Sequence, residues 1–214
     1  MVPGQLRSPL LMVNRREFLG RGLASIAAAT VLPAVPALAS ATVSITDDSR
    51  LIRMARRALE ANAHAVHHRD VVGITDFSAA SREERFYLVD MMSGRISRFL
   101  VAHGRGSDPA HTGWVQQFSN DPGSFASSPG AYLTGDYYTG KHGRSLRLVG
   151  LDRTNNNAEA RAVVVHGAWY VSEQMARDTG KIGRSEGCFA FAQSDLPQVL
   201  ERLGPGRLLY ATKA

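Results

Sequence analysis

The chain has 214 residues, of which 44% are apolar and 21% charged, with 25 Lys and Arg against 19 Asp and Glu for a net charge of +6. That length suffices for one domain with a sizeable core. The single cysteine excludes an internal disulfide, and the positive balance lacks the basic runs with interleaved aromatics that mark nucleic-acid binding.

Residues 1–39 read as an export leader rather than as part of a fold. Asn14-Arg15-Arg16-Glu17-Phe18-Leu19 is a twin-arginine signature. A weakly apolar run rich in Ala and Gly follows and ends in the small-x-small pattern Ala37-Leu38-Ala39. Pro33 and Pro36 break the segment, which is too short to span a bilayer, so no transmembrane anchor is expected. The expected destination is the periplasm or another wall-facing compartment. The leader carries Arg7, Arg15, Arg16 and Arg21 against Glu17, so its removal leaves 175 residues with a charge of only +3.

Residues 40–70 form a helical lead-in. Leu51, Ile52, Ala55, Ala58 and Leu59 recur at helical spacing from Ser49, the expected N-cap, to about His64. His64, His67 and His68 share one face of that expected helix. No carboxylate or cysteine joins them at ligand spacing, and no metal site is assigned there.

From residue 71 to 214 the apolar period changes to that of strands. Val71 to Phe77 is one strand, and Arg85–Met92 with Arg95–His103 form a hairpin turning at Ser93-Gly94. A long stretch dense in Gly, Ser and Pro runs from Gly104 to about Ser128, and so long a connection is usually functional. Ala131–Thr134, Leu146–Leu151, Arg161–His166 and Arg207–Thr212 are further strands, and Ser194 caps a short helix with Pro197 in its first turn. Many short strands with Gly-rich turns predict one mainly β domain, a β-sandwich or barrel with a few short helices.

Cys188 stands in Arg184-Ser185-Glu186-Gly187-Cys188. By residue type alone a free cysteine is a buried packing residue. Export changes that reading, because an idle thiol in an oxidising compartment is exposed to oxidation and mixed disulfides. Gly187 lets backbone approach the sulfur, and the apolar run Ala162–Val165 ends in His166-Gly167. Thiol plus imidazole is the minimum for a cysteine nucleophile. His103-Gly104, His142-Gly143 and His166-Gly167 lack a recognised metal spacing, so neither metal nor cofactor is assigned. Tyr132, Tyr137, Tyr138, Trp169 and Tyr170 either line a groove or fill strand faces.

The pairing of His166-Gly167 with Ser185-Glu186-Gly187-Cys188 resembles the signature of the murein L,D-transpeptidase catalytic domain family. The resemblance runs from about Ile74 to the C-terminus. Val101–Gly104, Phe118–Asn120, Ser127–Tyr132, Tyr138–Gly143 and Ser145–Leu148 fall in the matching order. It departs where the broader pattern has a histidine before Gly-Cys, here Glu186, and an apolar residue then arginine after the cysteine, here Phe189-Ala190.

The resemblance implies an all-β enzyme acting on peptidoglycan stem peptides. Cys188 would attack the carbonyl before the terminal D-alanine of a tetrapeptide, release D-alanine, and hand the acyl group to an amine as a 3→3 cross-link. With water as acceptor it would be an L,D-carboxypeptidase, or more broadly a cysteine peptidase or amidase; the remaining alternative is a wall-binding module without catalysis. His166 would be the base, and the N–H groups of Gly187 and Cys188 the oxyanion donors. Ser185 and Gly167 would support the loop and the imidazole. No carboxylate stands at an obvious spacing to complete a triad, although Glu186 or Asp178 could approach in space. The role of the missing arginine would be vacant or would fall to Arg184, and Tyr132, His142 and Tyr170 would contact substrate.

Overall fold

A computed structural model of the chain describes residues 37–213. The leader assigned to residues 1–39 lies outside the described residues up to Pro36. Helix α1, Ala37–Ala61, passes through Ala39 and Ser49, so Ser49 lies inside the helix and does not cap it. Its apolar stripe of Leu51, Ala55, Ala58 and Leu59 packs on Val72, Ile74, Val89 and Leu208 of the sheet. The helix stops short of His64. His67 and His68 instead direct their backbone N–H groups to the Gly206 carbonyl, at 3.1 and 2.9 Å, so the three histidines share no helical face.

Eight strands follow: β1 Val71–Asp76, β2 Phe86–Asp90, β3 Ile96–Phe99, β4 Gly130–Gly140, β5 Gly143–Gly150, β6 Val164–Gly167, β7 Phe189–Phe191 and β8 Leu208–Thr212. They form one sheet in the order β3-β2-β1-β8-β4-β5-β6-β7, with β1/β8 and β6/β7 parallel and the other pairs antiparallel. The expected hairpin is present as β2/β3, turning with Gly94 at φ +74°. Beyond β3 the chain reaches across to β7, where Ala102 donates to the Ala190 carbonyl at 2.9 Å. The two edges of the sheet therefore meet. The rolled single sheet, not the two-sheet sandwich, is the architecture adopted.

Side chains alternate across the sheet. Phe86, Leu88, Tyr132, Leu146, Phe189, Phe191 and Leu209 point to the interior, joined by Val199, Leu200 and Leu203 of α3, Leu196–Leu203. Asp195, not Ser194, precedes this helix at its N-terminus, and the Ser194 hydroxyl bonds Asp195 instead. A second short helix, α2 Glu173–Thr179, is capped by Ser172, whose hydroxyl accepts from the Met175 N–H at 3.1 Å, and ends at Gly180 in the left-handed region.

Candidate active site

The site lies where β6 and β7 run side by side. Their parallel register sets Val165 opposite Phe189 and His166 opposite Ala190, so the end of one strand carries the imidazole and the start of the other follows Cys188. Ser185-Glu186-Gly187-Cys188 is the turn that enters β7. The Ser185 hydroxyl closes it, donating to the Cys188 carbonyl at 2.7 Å and accepting from the Gly187 N–H at 3.2 Å. Gly187 stands at φ +112°, and a Cβ there would meet the Ala126 carbonyl oxygen at 2.8 Å. Only glycine fits that backbone.

The turn is laced to the segment after β3. Ser185 N–H donates to the His103 carbonyl at 2.9 Å, and Arg105 N–H to the Ser185 carbonyl at 2.8 Å. Beneath that segment lies a fully buried polar cluster. Arg85 donates to the Val101 and Ala79 carbonyls and, at 2.7 Å, to His103 Nδ1. Arginine has no lone pair to offer, so His103 carries its proton on Nε2, which sits 3.4 Å from Asp108 Oδ2 without a well-aligned hydrogen bond. Burial, then the Arg85 charge, lower His103 to about 3. Burial also lowers Arg85 to about 9, which leaves it charged at neutral pH.

Cys188 and His166 line one cleft of about 540 Å³. His166 Nδ1 lies 2.9 Å from the Gly167 carbonyl, which can only accept, so the lone pair is on Nε2. Burial lowers His166 to about 4, and the imidazole is neutral at pH 7. Burial likewise raises the Cys188 thiol, against weaker opposing effects of the Val164 N–H, Lys141 and Arg161. The Cys188 S–H is directed to the Ala162 carbonyl, 3.6 Å away. Ala162 holds φ +51°, a backbone conformation that costs a non-glycine residue about 1 kcal/mol.

His142 stacks on His166 with ring centroids 4.0 Å apart. Arg184, His142 and Tyr170 share the cleft with Cys188, as does Ser185. Arg184, however, donates to the Asp108 and Pro109 carbonyls, so its guanidinium already has partners. Tyr132 is misplaced as a cleft residue: it is fully buried on the inner face of β4, its hydroxyl donating to the Ser128 carbonyl at 2.7 Å. The Gly187 N–H is also a correction, since it is directed to Ser185 Oγ rather than into the cleft. Glu186 lines the cleft but pairs with Arg105, and Asp178 bonds Gln174; the partner of the imidazole is a backbone carbonyl.

Two cleft residues escaped sequence reasoning. Arg161, read there as the first residue of a strand, lies ahead of β6 and braces the long 104–128 loop through the carbonyls of Ser119 and Ala126 and the Ser128 hydroxyl. Lys141 belongs to a stretch in which only Tyr138 and His142 were singled out, and Tyr138, like Tyr170, lines the cleft. The Gly140-Lys141-His142-Gly143 run was the available signal, because it turns β4 into β5. The three His-Gly pairs do not converge. His103 lies in the buried cluster, and among the described residues no group of three or more His, Cys, Asp or Glu side chains could hold a metal ion.

A model of the L,D-transpeptidase catalytic domain family matches residues 46–212. No curated protein is significantly similar to the chain in sequence. Among solved structures, an L,D-transpeptidase from Mycobacterium smegmatis is 12% identical, with a TM-score of 0.39 over 67% of this chain and 58% of that one. L,D-transpeptidase 3 from Mycobacterium tuberculosis, in complex with a faropenem-derived adduct, is 12% identical, with a TM-score of 0.42 over 67% and 60%. An L,D-transpeptidase from Xylanimonas cellulosilytica is 14% identical, with a TM-score of 0.36 over 66% and 60%. The matched region thus spans about three fifths of the length of these chains.

Proposed function

Since the chain belongs to the L,D-transpeptidase catalytic domain family, which acts on peptidoglycan, we propose that it is an exported cysteine acyltransferase that cross-links stem peptides 3→3. The observation that carries this reading is the shared cleft of Cys188 and His166, with the imidazole lone pair fixed on Nε2 by the Gly167 carbonyl. The leader at residues 1–39 supplies export, and no helix among the described residues is long and apolar enough to cross a membrane.

The resting pair is neutral thiol and neutral imidazole. The S–H leaves the Ala162 carbonyl, and His166 Nε2 takes its proton as the sulfur attacks the carbonyl carbon before the terminal D-alanine. The oxyanion is held by the Cys188 N–H, a contribution worth about 3 kcal/mol when well aimed. The C–N bond then breaks. Burial that makes His166 a weak base makes its cation a strong acid, so it readily protonates the leaving amine. A thioester remains on Cys188. An acceptor amine attacks it, loses its proton to His166, and expels the thiol.

Incubation with disaccharide-tetrapeptide tests the reading. Cross-linked dimers and free D-alanine are the expected products by mass spectrometry, and Cys188→Ala yields neither while keeping its fold. Tripeptide alone, without dimers, identifies water as the acceptor and makes the chain an L,D-carboxypeptidase. Product formation by Cys188→Ala at the wild-type rate rules out the thioester.

A further inference from the structure

The cleft that holds Cys188 contains four cationic side chains, Arg105, Lys141, Arg161 and Arg184, and one carboxylate, Glu186. Three of the four cations already have partners. Arg105 pairs with Glu186 at 3.2 Å and stacks over the Phe125 ring at 3.8 Å. Arg161 is held by the Ser119 and Ala126 carbonyls, and Arg184 by those of Asp108 and Pro109. Lys141 has no hydrogen bond or ion pair among the described residues, although it lines the same cleft.

Its position is set by the fold. β4 and β5 pair up to Gly140 and Gly143, so Lys141 and His142 are the two residues of the hairpin turn. His142 lies flat against His166, which seats that turn over the catalytic imidazole. The ammonium of Lys141 acts electrostatically on both Cys188 and His166, lowering each. An unpaired cation in a largely cationic cleft calls for an anionic group on the ligand.

We propose that Lys141 is the specificity-determining residue that receives the free C-terminal carboxylate of the donor stem, restricting the enzyme to stems that end one residue beyond the bond Cys188 attacks. The inference rests on the function proposed above and names its substrate class. In that reaction the leaving residue carries its carboxylate on the carbon next to the leaving nitrogen, only a few bonds from the carbonyl under attack. A flexible ammonium on the turn above His166 suits this task. It forms a charge-assisted contact with the short end of the chain, while a longer stem would push past it.

The test compares disaccharide-tetrapeptide with its C-terminal carboxamide, which has the same shape without the charge. Binding is measured by calorimetry to Cys188→Ala and to Cys188→Ala with Lys141→Gln, so that no turnover is needed. Loss of Lys141 weakens the carboxylate ligand about 10- to 100-fold, the range for one charge-assisted contact. Affinity for the carboxamide is unchanged, and Lys141→Arg restores most of the loss. Equal weakening of both ligands, or of neither, overturns the inference. Lys141-dependent binding without any product from the wild-type enzyme leaves the carboxylate seat standing and removes the proposed reaction. Failure of both ligands to bind removes both.

Discussion

Cys188 is the one thiol in the chain, and its surroundings keep it protonated at rest rather than as a ready-made thiolate. The neutral pair has a consequence for pH. His166 sits at about 4, below the ordinary imidazole value of about 6.5, so the base form persists well into acid. The acid limb of kcat/KM should therefore fall near pH 4, and iodoacetamide alkylation of Cys188 should still be rising above pH 8.5, the ordinary thiol value. An acid limb at 6.5, or an alkylation rate already level at neutral pH, would show an imidazolium–thiolate pair instead. That Cys188 and His166 share a cleft was legible in the sequence, because a lone cysteine after glycine and a histidine at the end of an apolar run are local patterns. Tyr132 was not. Period-two alternation on β4 sends Ala131 to the α1 side and Tyr132 inward, and the register of that alternation follows from the partners β5 and β8. Lys141 and Arg161 likewise come to the sulfur through hairpin and loop geometry that local spacing does not encode.

The turn that carries Cys188 is held by the segment after β3, and that segment rests on Arg85. The guanidinium satisfies two carbonyls and His103 in a site with no solvent exposure. Removing one member of a buried charged network leaves its partners unsatisfied, at a cost of about 3 to 5 kcal/mol. Arg85→Met should lower the unfolding free energy by about that amount in urea titrations, and Arg85→Lys should recover little, since one ammonium cannot reach all the acceptors. A Met variant as stable as wild type would mean that the cluster contributes nothing. The β2/β3 hairpin was readable from Ser93-Gly94, and β8 from its apolar run. β7 was missed because three residues carry no periodicity, and its pairing with β6 is long-range. α2 did carry local signals, Ser172 at its start and Gly180 after its end, but seven residues between aromatic and glycine-rich loops gave too short an apolar pattern. α1 extends upstream of Ser49, since Ser49 is a cap only by residue type.

For the molecule as a whole, the two edges of a rolled sheet meet at Ala102 and Ala190, beside the turn that carries Cys188, so folding and assembly of the cleft are one event. Two buried histidines couple that event to pH. His103 at about 3 and His166 at about 4 bind protons in the unfolded chain near pH 6.5 but not in the folded one. Their contribution is complete above pH 6.5 and is lost as pH falls towards 4 and 3. Each steepens the decline by up to about 1.4 kcal/mol per pH unit. Urea midpoints should fall steadily from pH 7 to pH 4.5, and His166→Gln should flatten that slope; a midpoint constant over this range would contradict the buried neutral state of both rings. The proposed mechanism is covalent, with Cys188 carrying the acyl group. Intact-mass spectrometry of the protein quenched seconds after mixing with disaccharide-tetrapeptide tests it most directly. One adduct equal to the tetrapeptide donor less D-alanine, located on Cys188 and missing in Cys188→Ala, is the predicted result. Turnover without any such adduct, or an adduct on another residue, would contradict it.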